Sequence, residues 1–211
     1  MNEYLAFIGA QRDDSLETLI DKHLKHFFYC NVWLWHEGKK PVKERTVLAS
    51  ENVLAVWEDL KRDGFGYCFQ QIEVQKAVLD FLGHSVTRHA SMSINAQSGS
   101  FDEESLVGSH CSHEILMDKD GGIVDVGYAA NALTTVLRCP IGGEAQAGDN
   151  TYRVTQINSE WRQLELLLPA GWWTLYRFHI KPTDYVKPLA EGTLLEPVII
   201  RFLTVILDPH K

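Results

Sequence analysis

"VLDFLGHSVTRHASMSI", residues 78–94, contains the change of period that decides the fold. Upstream, in "GYCFQQIEVQKAVLDFLG", residues 66–83, Phe69, Ile72, Val78, Leu79 and Leu82 share one helical face, and Gly83 suits the left-handed residue that closes a helix. Downstream the period falls to two. Val86, Arg88, Ala90, Met92 and Ile94 alternate with polar partners, the pattern of a strand with one buried face.

The two sides keep these characters as the reading moves outward. Residues 13–28 place Leu16, Leu19, Ile20, Leu24 and Phe27 on one stripe, with Asp14 and Glu17 fitting a capping box. A further helix opens at Ser50 in "SENVLAVWEDLKRDG", buries Val53, Leu54, Trp57 and Leu60, and stops at a glycine. On the other side, "SHEILMDKDGGIVDVGY" reads as two short strands around a turn. Strands are also expected at "NTYRVTQI", "RQLELLL", "WWTLYRFHI" and "EPVIIRFLTVIL", and "PIGGEAQAGDN" as the most mobile loop. Helices first and antiparallel sheet after make an α+β protein: a helical bundle over residues 1–85, then a β-barrel-like sheet from residue 86.

Composition narrows the function. With 211 residues, 45% hydrophobic and 23% charged, the chain is globular, and its net charge of −8 without a basic stripe argues against nucleic acid. "MNEYLAFIGAQRDD" lacks the basic leader of a signal peptide, and no apolar run reaches the roughly 20 residues of a membrane span. The expected address is the cytoplasm, with no membrane partner. Cys30, Cys68, Cys111 and Cys139 form no CxxC pair and read as thiols.

Cys68 is the thiol placed for chemistry. At a helix start, behind "GFG", the free amides and the dipole favour an anionic sulfur. Such a nucleophile needs a base and a group that orients the base. The hairpin carries both. His113 shares a strand face with Ile115 and Met117, and Asp125 lies in the apolar return strand "IVDVG", where a buried carboxylate requires a partner. The turn decides whether the two meet. A two-residue turn at Asp120–Gly121 would put Asp125 opposite Leu116, on the wrong face. A three- or five-residue loop centred on Asp120 pairs Ile115 with Asp125 and leaves His113 and Asp125 as diagonal neighbours on one face, roughly 7–8 Å apart along the backbone. The longer loop is expected. His110, on the opposite parity, is the second choice of base.

The order Cys68 in "GYCFQQ", His113 in "SHEILMD" and Asp125 in "IVDVGY" resembles the arylamine N-acetyltransferases, whose pattern is Arg-Gly-Gly-aromatic-Cys-aromatic-Glu, a His before an apolar strand, then Asp-Val-Gly-aromatic-Gly. The similarity runs over about residues 3 to 188, through "YLAFIGAQRDDSLETLIDKHLKHFFYCNV", "VLDFLGHSVTRHASMS" and "WWTLYRFHIKPTDY". The resemblance implies a thiol-protease-like Cys-His-Asp site where bundle and barrel meet. It implies ping-pong transfer of acetyl from acetyl-coenzyme A through Cys68 to an aromatic amine or hydrazine, without metal. His113 would activate the thiol and Asp125 hold the imidazole, with Phe65, Tyr67, Phe69, Gly127 and Tyr128 as substrate- or coenzyme-binding residues. The barrel would span residues 86–188, and residues 189–211 would be a remnant of the family's C-terminal lid. An oligomer is compatible with this.

Three features depart from the family pattern. Gly64, Phe65 and Gln70 stand where it has arginine, glycine and glutamate; "YAAN" follows "DVG"; and the lid region is shortened. An amide synthase, a thiol hydrolase or a degenerate binding protein are the alternatives that keep this fold. "HCSH", residues 110–113, offers ligand types for a metal, but neighbouring strand residues face opposite ways. His23, His26, Arg88 and His89 read as surface or packing residues, and Trp33, Trp35, Trp172 and Trp173 as core or rim aromatics.

Overall fold

The computed structural model describes residues 1–29, 53–66, 68–93, 110–111, 113–128, 133–183 and 187–188. Ser50, Tyr67, Ile94, Cys30, Trp33, Trp35, the "EPVIIRFLTVIL" strand, the 189–211 lid remnant and the side chains of the "HC" pair lie outside the described residues.

Among the described residues four helices come first: α1 (Asn2–Phe7), α2 (Leu16–His26), α3 (Val53–Asp63) and α4 (Cys68–Phe81). The expected stripes pack against one another, with Leu19, Ile20, Val56, Leu60, Ile72 and Val78 in one core, except that Leu54, expected on the buried face, is exposed while Val56 takes the inward position. The cap of α2 differs from expectation: Ser15 is the N-cap and its hydroxyl accepts from Thr18 N. Asp14 instead accepts from Gln11 N and pairs with Lys22, which closes the preceding turn. At the end of α4, Gly83 takes φ +83°, His84 N donates to Leu79 O and Gly83 N to Asp80 O, the double bond pattern of a Schellman stop.

Two short parallel strands, β1 (Phe28–Tyr29) and β2 (Phe65–Gly66), tie the end of α2 to the loop before α4. Then the sheet begins with β3 (Val86–Ser93) and, after β4 (His110–Cys111), continues with β5 (His113–Asp118), β6 (Ile123–Val124), β7 (Glu144–Ala147), β8 (Asn150–Gln156), β9 (Trp161–Leu168) and β10 (Gly171–His179); β11 (Lys187–Pro188) pairs with β4. The seven-stranded sheet runs β6-β5-β3-β10-β9-β8-β7, antiparallel throughout. It curls. Residues 137–141 cross from one edge to the other, Leu137 pairing with Ile123 and Ile141 with Val154, so the sheet half-closes around Ile115, Leu164, Leu175 and Tyr176.

Two expectations change here. β3 is buried on both faces over most of its length: Val86 packs into the helical core and Arg88 reaches Glu73 on α4, while His89 and Ser91, on the other face, are also buried. The "PIGGEAQAGDN" loop contains β7, which turns back through Gly148 (φ +61°) into β8. Small and polar residues are tolerated there because β7 is an edge strand.

Candidate active site

The hairpin takes the longer loop. Met117 pairs with Ile123 and Leu116 with Val124, and Asp118 N donates to Gly122 O around the three residues 119–121. Gly121 takes φ +81°, and Asp118 Oδ1 accepts from Asp120 N and Gly122 N, which together form the turn. One residue further in this register Asp125 stands opposite Ile115, diagonal to His113. His113 Nε2 and Asp125 Oδ2 are 3.0 Å apart, both groups buried. Gly127 N donates to Asp125 Oδ1 at 3.0 Å.

Cys68 is the first residue of α4, as expected, and is 8% exposed. The His113 ring also interacts with Cys68, which favours its protonated form. Burial by itself would keep His113 neutral. The charge and hydrogen bond of Asp125, joined by those of Cys68, outweigh it and hold the imidazole well above its ordinary range, at about 10. Gly127 brings the return strand onto the helix start: a Cβ there would lie 2.9 Å from Cys68 Cα and 3.0 Å from its Cβ and carbonyl oxygen. No other residue type fits that approach without displacing Cys68.

Aromatic rings wall the histidine. Tyr128 meets His113 edge-on at 5.1 Å, and Tyr176 lies 5.3 Å away. The Tyr128 hydroxyl donates to Leu175 O at 2.7 Å. That carbonyl is free because Leu175 is the extra residue of a bulge between Thr174 and Tyr176. The Tyr176 hydroxyl is enclosed beside Asp125, on which its hydrogen bond is poorly aligned; burial and the carboxylate raise it well above the usual phenol range. Tyr176 was not foreseen as a site residue, because the bulge that turns it inward has no sequence signal.

Of the other expected binding residues, Phe65 is half-buried in β2, Phe69 is buried within α4, and Tyr67 lies outside the described residues. Of the two readings given for Arg88 and His89, surface or packing, both take the interior one. Arg88 Nη2 lies 2.5 Å from Glu73 Oε2 and its Nη1 3.5 Å from Glu114 Oε2, linking the helix that Cys68 opens to the residue after His113. His89 is held on the His179 carbonyl. Trp172 carries Arg153 over its ring, and Trp173 is exposed at the rim. Among the described residues no His, Cys, Asp or Glu cluster is arranged to hold a metal, and no helix is long and apolar enough to cross a membrane.

This α+β half-barrel is the fold of arylamine N-acetyltransferases. The Mycobacterium smegmatis enzyme, solved as a Cys→Gln variant, superposes with a TM-score of 0.68 at 21% identity over 86% of this chain and 65% of that one. The Salmonella typhimurium enzyme gives 0.63 at 20% identity, over 96% and 68%. The Mycobacterium marinum enzyme in complex with coenzyme A gives 0.60 at 19%, over 86% and 65%. The chain thus spans about two thirds of the length of these relatives. Residues 14–188 match the N-acetyltransferase family model, and the chain belongs to the arylamine N-acetyltransferase family. No curated protein matches the sequence.

Proposed function

We propose that the protein is a cysteine-dependent acyltransferase that accepts acetyl from acetyl-coenzyme A and delivers it to an aromatic amine or hydrazine. One observation carries the reading: His113 is bonded at once to Asp125 and to Cys68, in a buried site, in a chain of this family. The known complex of the Mycobacterium marinum relative with coenzyme A supports the donor.

The residues divide the work as follows. Asp125 stabilises the protonated form of His113, and the form that reacts is the pair of Cys68 thiolate and His113 imidazolium. The Cys68 sulfur attacks the acyl carbonyl, and the sulfur–carbon bond of the donor thioester breaks. His113 returns its proton to the departing thiolate, leaving acetyl on Cys68. The acceptor amine then attacks that thioester, His113 takes the amine's proton, and Cys68 leaves as thiolate. Gly127 and the start of α4 hold the sulfur against the histidine through both halves. The aromatic wall of Tyr128 and Tyr176 keeps water from the ring, as a covalent acyl intermediate requires.

The test is intact mass after mixing with acetyl-coenzyme A alone, beside Cys68→Ala. A single added acetyl, absent from the variant and discharged by an arylamine, is expected. An unmodified protein with no release of free coenzyme A would overturn the reading.

A further inference from the structure

The nucleophile loop lacks the arginine and glutamate of the family pattern, and a different set of side chains reaches it. Gln71 Nε2 donates to Gly66 O at 2.9 Å, two residues before Cys68. Gln71 Oε1 lies 3.1 Å from His23 Nε2, and His23 Nδ1 lies 2.7 Å from Tyr4 Oη. Tyr4, His23, Gln71 and Gln75 are all buried, and they come from three helices.

The direction of the chain follows from donors and acceptors. Gln71 Oε1 can only accept, so His23 carries its proton on Nε2 and its Nδ1 accepts from Tyr4. Tyr4 then has no proton for Gln75 Oε1, 3.2 Å away, while Gln75 Nε2 has no partner. Turning the Gln75 amide end for end removes the conflict at Tyr4: the Gln75 N–H donates to Tyr4 Oη. Every bond then points the same way, Gln75 to Tyr4 to His23 to Gln71 to the Gly66 carbonyl, and aligned bonds reinforce one another. The chain requires neutral His23, and burial pushes that ring down to about 4 despite the opposing hydrogen bond of Gln71. Gly66 is itself wedged: a Cβ there would strike Leu60 and lie 2.9 Å from Gln70 Oε1.

We propose that Gln71, oriented by His23 and Tyr4, is a positioning residue for acyl transfer, clamping the Gly66 carbonyl so that Cys68 is presented to His113. The proposal rests on the acyl-transfer reading above. Its physical content is small displacement: about an ångström of misplacement at a reacting atom costs on the order of a hundredfold in rate.

The test is the rate of iodoacetamide alkylation near pH 7, resolved to Cys68 and Cys139 by peptide mass, with folding checked by circular dichroism. This readout needs no coenzyme. Gln71→Glu keeps the acceptor for His23 but loses the donor to Gly66, and should slow Cys68 at least about tenfold while Cys139 is unchanged. Should that variant not fold, a second pair decides. His23→Leu should slow Cys68 equally, and His23→Gln, which retains a donor and an acceptor, should restore it. Wild-type rates in every folded variant, or equal slowing by His23→Leu and His23→Gln, would overturn the clamp and leave the acyl-transfer reading standing. A wild-type Cys68 no faster than Cys139 would overturn that reading, and the clamp with it.

Discussion

The helical half buries His23 and the sheet half buries His113, and the two end up in opposite states. His23 packs among α1, α2 and α4 with a tyrosine and an amide as partners, and burial holds it neutral. His113 is as deeply buried, but it faces Asp125 and Cys68 and is held protonated. Burial sets the cost of charge in both places; the charge of the nearest partner decides the outcome. The neutral ring serves as a fixed link in a hydrogen-bond chain, and the charged ring holds a proton that it can return.

The strongest way to break the contrast is to remove the charge that creates it. Asp125→Asn should turn His113 into a neutral ring like His23 and lower acyl transfer by about 10³- to 10⁴-fold, as loss of the orienting carboxylate does in comparable triads. Imidazole titration by NMR beside the kinetics checks both halves of the claim. A variant whose His113 stays protonated at neutral pH would show that Asp125 is not the cause.

A second, smaller effect lies in stability. His23 has a native value below its unfolded one, so between about 6.5 and about 4 the unfolded chain holds a proton that the native chain does not, and stability falls as pH falls. At about 1.4 kcal/mol per unit, this one group is worth about 3 kcal/mol by the acid end. His113 acts in the other direction. Its value is raised, so its contribution is full below about 6.5 and is lost as pH rises toward about 10. Urea unfolding from pH 4.5 to 6.5 should show a slope that His23→Gln flattens; an unchanged slope would assign the acid loss to other groups.

The smallest expected effect tests the junction between the halves. Gly127→Ala places a methyl against the Cys68 backbone and should cost about 1–3 kcal/mol in stability, with slower alkylation of Cys68 than of Cys139. Thermal unfolding and site-resolved alkylation would report it. An alanine accommodated without either change would mean that the approach of Gly127 to Cys68 is not a constraint.

Much of this arrangement could be read from local pattern. The period change after Gly83 separates helices from strands, and Cys68, His113 and Asp125 stand out as a thiol at a helix start, a histidine heading a strand and a carboxylate in an apolar run. Even the hairpin register followed from parity, since a slip of one residue would have put Asp125 on the wrong face. His23 and Arg88 were harder. Each falls by spacing on an apolar face, His23 with Leu16, Leu19 and Ile20 and Arg88 with Val86 and Ala90, and each is satisfied only by partners far along the chain, Gln71 and Tyr4 for one, Glu73 and Glu114 for the other. Gln71 and Gln75 lie one turn apart on the inner side of their helix, and both are buried.

By itself the sequence determined the class of fold, the three chemical groups of the candidate site and the face on which two of them lie, because period, capping and strand parity are local properties of the backbone. Only the tertiary structure decided that Gly127 approaches Cys68, that Tyr128 reaches the carbonyl of the bulged Leu175, and that Gln71 donates to the Gly66 carbonyl. Those outcomes depend on contacts between residues far apart in the chain, and on which buried polar atoms find partners when the helices close against the sheet.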